Sequence, residues 1–214
     1  MTVKVYGVAA STCTKRVLTT LLEKNVPYEL IYVDWVNLEH KKPEFLKLQP
    51  FGKVPVLEDD GVVVFESRAI CKYIATRYAS QGTNLIPEGG DVKKYALFEQ
   101  ACSIEQNYFN PPAEGIVAEK IFKLQKGGQP DETLVAKYAS ELDATLAVYD
   151  GILAKQNYLA GNEVSLADLF HLSYGKLAQE AGFKQTFDKY PNVKRWLDGL
   201  EARDSWAKVG SATL

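Results

Sequence analysis

The spacing of apolar residues changes near residue 80, and this change constrains the fold more than any other feature of the sequence. Before it, short runs rich in β-branched and aromatic residues, such as VKVYG (3–7) and YELIYVD (28–34), alternate with helical periodicity. After it, only the 3.6-residue spacing of amphipathic helices remains. We therefore expect an α/β domain followed by an all-helical domain.

The first part predicts the element order βαβαββα. A helix over 12–24 joins the first two strands, which is the crossover that parallel strands require. A short helix falls within 42–52, and VPVLEDDGVVVFES (54–67) predicts two antiparallel strands joined at DDG, where Gly supplies the turn. A helix over 67–79 follows. The order predicts a mixed sheet with helices on both faces.

The second part begins after a loop at 81–90, which we interpret as the linker. A helix is expected over 91–109, and NPP (110–112) should break it, because proline lacks an N–H and clashes with the preceding turn. The helix should resume as far as residue 126. Further helices are expected at 132–154, 166–180, 192–201 and 203–208.

Charge and composition exclude several classes of function. A net charge of −2 argues against a nucleic-acid partner. No apolar run approaches the ~20 residues that span a bilayer, and MTVKVYGVAA is too short and too polar for a signal peptide, so no membrane partner is expected. Three unevenly spaced cysteines, Cys13, Cys71 and Cys102, favour reduced thiols and a cytoplasmic location. Two distant histidines without a cysteine pair predict no metal site.

Two positions in the first part raise the question of a ligand. Ser11, in AASTCTKRV (9–17), precedes a helix, so by itself it fits either an N-cap or a hydroxyl that activates a substrate. Pro55, in KVP (53–55), cannot donate to a sheet ladder, which predicts an edge strand or a cis Val54–Pro55 bond. A turn there would leave the backbone groups of Val54 available to a peptide-like ligand.

Charged residues near two other helix starts complete this set. In FESR (65–68), Ser67 is predicted to cap a helix whose unpaired N–H groups and dipole suit a carboxylate, and Glu66 could pair with an ammonium group. Alternatively, both residues only stabilise the helix start. His40 and Lys41 are cations for a second carboxylate or a solvated surface pair. Together, these groups describe a site for a small zwitterionic peptide.

Several segments, in order, resemble one family over the whole chain. AxSTxxxRV, EHKKPEFLKLQPFGKVPVLEDDG and FESRAICKYIA are similar to the thioredoxin-like domain of glutathione transferases of the phi class. YLAGNEVSLADLFHL resembles the capping-box segment of their helical domain, with Ser165 as the cap and Asp168 three residues on. The resemblance implies a glutathione-binding domain over 1–80 and a helical domain over 91–214 that forms the hydrophobic substrate site.

The resemblance also implies roles for individual residues. Ser11 would be catalytic, stabilising the thiolate of glutathione, the co-substrate, for attack on hydrophobic electrophiles. The family usually has Gln at the position of Lys53. A lysine can donate to a carboxylate as a point charge, but it is not an amide that both donates and accepts. The glutathione-binding residues would be His40, Lys41, Lys53, Val54, Pro55, Glu66, Ser67 and Arg68.

An apolar wall is expected to hold the electrophile. The proline break could turn Tyr108 and Phe109 toward the substrate, although aromatic residues at helical spacing are more often core. Cys13, two positions past Ser11, would point away from it around the helix and serve in packing. The wall candidates are Ala10, Trp35, Tyr108, Phe109 and Phe122.

The resemblance further implies a homodimer, with Phe51, an apolar loop residue, as an interface anchor or as a local plug of its loop. Glutathione-dependent peroxidase activity at the same thiolate is a related expectation. The alternative reading is a non-catalytic ligand carrier that keeps the fold and glutathione.

Overall fold

A four-stranded mixed sheet organises the first unit of the computed structural model, which describes residues 2–87 and 90–210. Strands β1 (Val3–Gly7) and β2 (Tyr28–Tyr32) are parallel. Strand β3 (Val56–Asp59) is antiparallel to β1, and β4 (Val62–Phe65) is antiparallel to β3. The spatial order is β2-β1-β3-β4. The predicted mixed sheet of a thioredoxin-like domain is confirmed.

The register of the sheet brings several chain segments to one edge. Tyr6 pairs with Val56, Val56 pairs with Phe65, and Gly7 pairs with Tyr32. The carboxyl ends of β1, β2 and β4 therefore meet the amino end of β3. The segments that follow β1, β2 and β4 and the segment that precedes β3 emerge at this edge.

Three helices belong to the sheet unit: α1 (Thr12–Glu23), α2 (Pro43–Leu46) and α3 (Ser67–Arg77). A 3₁₀ turn, Glu39–Lys41, precedes α2. Helices α1 and α3 pack against each other through fully buried side chains such as Leu21 and Ile74, because apolar residues recur at helical spacing on both.

The second unit, Pro87–Ala202, is helical. Its core includes the buried rings of Phe109, Tyr149, His171 and Trp196. Along the described chain, residues 2–87 and 90–210, no helix is both long and apolar enough to cross a membrane. Its helices are α4 (Val92–Ile104), α5 (Asn110–Val117), α6 (Lys123–Gln125), α7 (Glu132–Leu153), α8 (Leu166–Leu169), α9 (Leu172–Ala178), α10 (Lys184–Asp188) and α11 (Pro191–Glu201).

The predicted break at the NPP sequence is wrong. A π-helical turn, Glu105–Phe109, connects α4 directly to α5, and Asn110 keeps helical angles (φ −61°, ψ −44°). Both prolines lie in the first turn of α5. The Asn110 N–H bonds to the Glu105 carbonyl, five residues back, so the π-helical turn changes the hydrogen-bond register just before the prolines and they follow a helix without ending it.

The predicted cap at Ser165 is present and centres on a buried carboxylate. Asp168 accepts hydrogen bonds from the Ser165 N–H at 2.9 Å, the Leu159 N–H at 2.9 Å and the Trp196 indole N–H at 3.0 Å. Burial raises the pKa of Asp168. These donors replace the water that the carboxyl group loses and join α8 to α11.

The chain after residue 202 departs from the expected domain boundaries. Helix α12 (Asp204–Gly210) groups with the sheet unit, whereas the sequence assigned it to the helical domain over 91–214. Glu23, at the end of α1, accepts hydrogen bonds from Arg203 at 2.6 and 2.7 Å and from the hydroxyls of Ser205 and Thr83. At the other end of α12, Lys15 donates to the Gly210 carbonyl at 2.9 Å.

Replacement of this carboxylate should destabilise the sheet unit. Burial acts to raise the pKa of Glu23, but the hydrogen bonds from Arg203, Ser205 and Thr83 outweigh it, so the pKa is lowered. Its contribution is therefore present above the unfolded pKa and is lost as pH falls through the folded pKa. We expect Glu23→Gln to lower the free energy of unfolding by about 3 kcal/mol at pH 7, measured by urea denaturation.

The matched control is Glu29→Gln, at an exposed position on β2. It should change the free energy of unfolding by no more than about 0.5 kcal/mol. Equal effects of the two variants at pH 7, or a difference between them that persists in strong acid, would contradict this role of Glu23.

Candidate active site

Ser11 lies between β1 and α1, at the edge of the sheet where the strand ends meet. It is the N-cap of α1, and its half-buried hydroxyl oxygen accepts a long hydrogen bond, 3.4 Å, from the Thr14 N–H. Within residues 2–87 and 90–210, its hydroxyl hydrogen has no acceptor. The hydroxyl can therefore cap the helix and still donate to a ligand.

Helices α1 and α3 run parallel and begin at the same edge of the sheet. Arg16 contacts Ser67 at the start of α3, and further along Lys24 donates to the Ala79 carbonyl at 3.3 Å. Both helices are long enough to carry a macrodipole, and their positive ends point to this edge. The arrangement favours negatively charged ligand groups.

Arg16 also contributes to this site, although the sequence pattern did not lead us to predict it. Its guanidinium is buried, with 2% of the residue exposed, and donates to the Ser67 hydroxyl oxygen at 2.9 Å. Because a guanidinium has no acceptor, the hydrogen of Ser67 must point elsewhere and remains available to donate. The sequence feature that could have predicted its role is the arginine of AxSTxxxRV, because a charged residue there lies among the apolar positions of α1.

Glu66, and not Ser67 as predicted, is the N-cap residue of α3, and its backbone is unusual, with φ +70° and ψ 109°. An L-amino acid rarely adopts such angles, and strain of this kind is concentrated at functional sites. The side chain is exposed, and no described residue forms an ion pair with its carboxylate. The carboxylate is therefore available to an ammonium group. Arg68, the residue after Ser67, is half-buried.

Val54 lies two residues before the sheet ladder, since the first paired residue of β3 is Val56. The Val54–Pro55 bond is cis, the second of the two predicted alternatives. Pro55 is buried and precedes a central strand, so the ladder does not need its missing N–H. Lys53 is exposed.

The loop before Lys53 packs closely on the 3₁₀ turn. Gly52 has φ +57°, and a Cβ there would lie 2.6 Å from the His40 carbonyl oxygen. Only glycine fits this approach. Lys41 donates to the carbonyls of Phe51 at 3.1 Å and Gly52 at 2.7 Å. The structure therefore brings His40, Lys41 and Lys53 into one region.

His40 is buried, with 2% of the residue exposed, beneath the ring of Trp35. The two rings are parallel within 8°, and their centroids are 3.9 Å apart. Burial and the neighbouring Lys41 lower the pKa of His40. Ala10, the other wall candidate in this unit, is also buried.

Two other residues of the sheet unit could have competed with Ser11. Tyr6 donates its hydroxyl to Glu58 at 2.8 Å, and burial together with this carboxylate raises its pKa. Cys13 is half-buried, and its sulfur accepts a weak hydrogen bond from the Arg16 guanidinium at 3.8 Å. Burial raises the pKa of Cys71 to about 12, so its thiol remains protonated.

The candidates in the helical unit differ in exposure. Tyr108 is 64% exposed, and Phe122 is half-buried. Phe109, expected at the substrate wall, is only 1% exposed and packs against Tyr149, His171 and Phe187. The continuous π-helical turn directs Phe109 into this core, so the structure removes it from the wall.

Comparison with known proteins identifies the family. The model of the glutathione S-transferase N-terminal domain matches residues 1–76, and that of the C-terminal domain matches residues 97–204. The chain belongs to the glutathione S-transferase family. Glutathione S-transferase hmp2 of Hypomyces subiculosus is 53% identical over 98% of this chain and 98% of its own. The chain is thus a glutathione transferase enzyme.

Solved structures place it in the phi class, whose plant members carry an F designation. Glutathione transferase F7 from Populus trichocarpa matches with a TM-score of 0.93 and 38% identity over 97% of both chains. Glutathione S-transferase I from maize, in complex with an atrazine glutathione conjugate, matches with a TM-score of 0.92 and 34% identity, covering 99% of this chain and 97% of its own.

The backbone at Glu66 generates a prediction about this transferase. We expect Glu66→Gly to raise the free energy of unfolding by about 1 kcal/mol, because glycine relieves the positive φ. The same change should weaken glutathione binding at least tenfold, since a hydrogen bond to a charged group contributes about 1.5–3 kcal/mol. Urea denaturation and calorimetric titration with glutathione measure the two effects.

Asp60→Gly is the control, because Asp60 also has a positive φ, 48°, but lies in the β3–β4 turn. This variant should leave the dissociation constant for glutathione unchanged. Unaltered glutathione binding in Glu66→Gly would contradict a ligand role for the carboxylate.

Proposed function

We propose that this transferase activates glutathione through Ser11, whose hydroxyl donates to the thiolate. The observation that carries the proposal is the unused hydroxyl hydrogen of Ser11 at the positive end of α1. Ser11 keeps its own proton, so it acts as a donor and not as a base. Tyr6 is the weaker candidate because its hydroxyl already donates to Glu58.

The energetics of this activation are sufficient. A free thiol has a pKa near 8.5, so only about 3% is ionised at pH 7. Lowering that pKa by about two units requires roughly 2.7 kcal/mol. One hydrogen bond to a charged group contributes about 1.5–3 kcal/mol, and a helix dipole adds about 0.3–1 kcal/mol.

The remainder of glutathione would bind along the same edge of the sheet. His40 and Lys41 would bind the glycine carboxylate, with Lys53 near them, and the Val54 backbone would pair with the cysteinyl residue beside Pro55. Glu66, Ser67 and Arg68 would bind the γ-glutamyl end. The positive ends of α1 and α3 and the unpaired Glu66 carboxylate support this polarity.

Hydrophobic electrophiles are the proposed second substrates, as in detoxification. Ala10 and Trp35 of the sheet unit remain candidates for contact with them, and Tyr108 and Phe122 are the remaining candidates of the helical unit. The atrazine conjugate bound by the maize relative supports an apolar aromatic substrate class.

Removal of the Ser11 hydroxyl should raise the thiol pKa of bound glutathione by one to two units, measured by ultraviolet titration of the thiolate. Conjugation of a chlorinated nitrobenzene at pH 6.5 should fall about 10- to 100-fold in kcat/KM, because the lost hydrogen bond stabilises the nucleophile. Ser11→Ala also costs about 1 kcal/mol of helix capping, whereas Ser11→Gly costs only a few tenths.

Agreement between Ser11→Ala and Ser11→Gly would therefore separate activation from capping. Cys13→Ala, in the same first turn, is the matched control and should retain both the thiol pKa and conjugation. An unshifted thiol pKa in the wild type would overturn the serine mechanism. Glutathione and apolar ligand binding without conjugation would favour the carrier alternative, and reduction of an organic hydroperoxide that depends on Ser11 would add peroxidase activity.

We also propose a cytoplasmic homodimer. Three free cysteines support a reducing compartment. Phe51 is 67% exposed in its loop, and its ring contacts Phe65 edge-on at 6.2 Å between centroids, so it is available as an anchor for a second copy.

Phe51→Ser should weaken the dimer about 30-fold, because a buried aromatic anchor contributes about 2 kcal/mol to an interface. Sedimentation equilibrium measures the dissociation constant, and circular dichroism verifies the fold. Val36→Ser, at an 82% exposed position, is the control and should not alter it. A monomeric wild type would contradict the homodimer, and an unchanged dissociation constant in Phe51→Ser would favour the local plug.

A further inference from the structure

The stack between Trp35 and His40 joins two residues that the sequence assigned to different subsites. The rings are parallel within 8°, with centroids 3.9 Å apart. His40 is almost fully buried, while Trp35 remains 50% exposed. The indole therefore covers the imidazole, and one face of Trp35 is already occupied.

The loop that carries Trp35 is held by local hydrogen bonds. The carboxylate of Asp34 accepts from the Asn37 N–H at 3.0 Å and from its side-chain amide at 2.6 Å. The carboxylate of Glu39 accepts from the Asp34 N–H at 2.6 Å, and the Trp35 carbonyl accepts from the Leu38 N–H at 3.2 Å. The backbone is thus held on both sides of Trp35.

His40 has an unmet hydrogen-bonding requirement. Its buried Nδ1 has no partner among the residues that the structure describes. Lys41, the adjacent cation, already donates to the carbonyls of Phe51 and Gly52. A carboxylate that reached His40 would supply an acceptor and favour the protonated imidazole.

A protonated imidazole beneath an indole gains a cation–π attraction that the neutral ring lacks. The indole also excludes water from one face of the imidazole, which strengthens a pairing with a carboxylate. Burial and Lys41 oppose protonation of His40 in the free protein. The stacked indole and an incoming carboxylate both favour protonation of His40.

We propose that Trp35 is a positioning residue for the glycine carboxylate of glutathione, acting through the imidazole of His40. The inference rests on the proposed function, which assigns that carboxylate to His40 and Lys41. It gives Trp35 a part in the affinity for glutathione that is separate from any contact with the electrophile.

The test compares glutathione with its glycyl monoethyl ester, which lacks the negative charge that His40 would bind. By calorimetric titration, Trp35→Ala should weaken glutathione binding about tenfold and binding of the ester less than twofold. Trp35→Phe retains an aromatic face and should recover most of the loss. Val36→Ala, at the exposed neighbouring position, is the matched control and should bind both ligands like the wild type.

Kinetics and a double variant give a readout that a purely structural role would not move. In Trp35→Ala, the KM for glutathione should rise about tenfold, whereas the KM for the glycyl monoethyl ester as co-substrate should change less than twofold. In the His40→Gln background, Trp35→Ala should have no further effect on glutathione binding, because the two residues act as a unit.

Three results would overturn the proposal. Equal weakening of glutathione and the ester would mean that Trp35 does not act through the carboxylate. A raised KM for the electrophile with unchanged glutathione affinity would make Trp35 only a wall residue. If the wild type and His40→Gln both bind glutathione and the ester equally, the assignment of His40 itself fails, and the proposal fails with it. The Ser11 mechanism would still stand on its thiol titration.

Discussion

In the sheet, Tyr6 is paired with Val56 and Val56 with Phe65, while β2 runs parallel to β1. This register brings the carboxyl ends of three strands and the amino end of the fourth to one edge. Every candidate residue of the sheet unit lies in a segment that leaves or enters the sheet there. A change of one residue in the pairing would turn successive side chains to the opposite face and dismantle this arrangement.

The two serines at this edge share a chemical property. The Ser11 hydroxyl oxygen accepts from a backbone N–H of its own helix, and the Ser67 hydroxyl oxygen accepts from the Arg16 guanidinium. In each case the partner can only donate, so the hydroxyl hydrogen is left for a ligand that accepts. Both helices also present their positive ends. The edge therefore favours negatively charged ligand groups.

The elements that could be predicted from the sequence are those with strong local signals. The alternating run at 3–7 is β1 without change, and the Ser165–Asp168 spacing is a cap in the structure. The helix break predicted at NPP is wrong because a π-helical turn lets prolines follow a helix without ending it. The prediction that Phe109 lies at the substrate wall is wrong because helical spacing cannot tell a core aromatic residue from one at a surface.

The sequence by itself determined the strands of the sheet and the residues at which α1 and α3 begin. These depend on periodicity and on capping, which act within a few residues. The tertiary structure decided that Arg16 orients Ser67, that Trp35 covers His40, and that α12 groups with the sheet unit through Glu23. Each of these contacts depends on how elements or loops pack against each other. Local periodicity does not specify that packing.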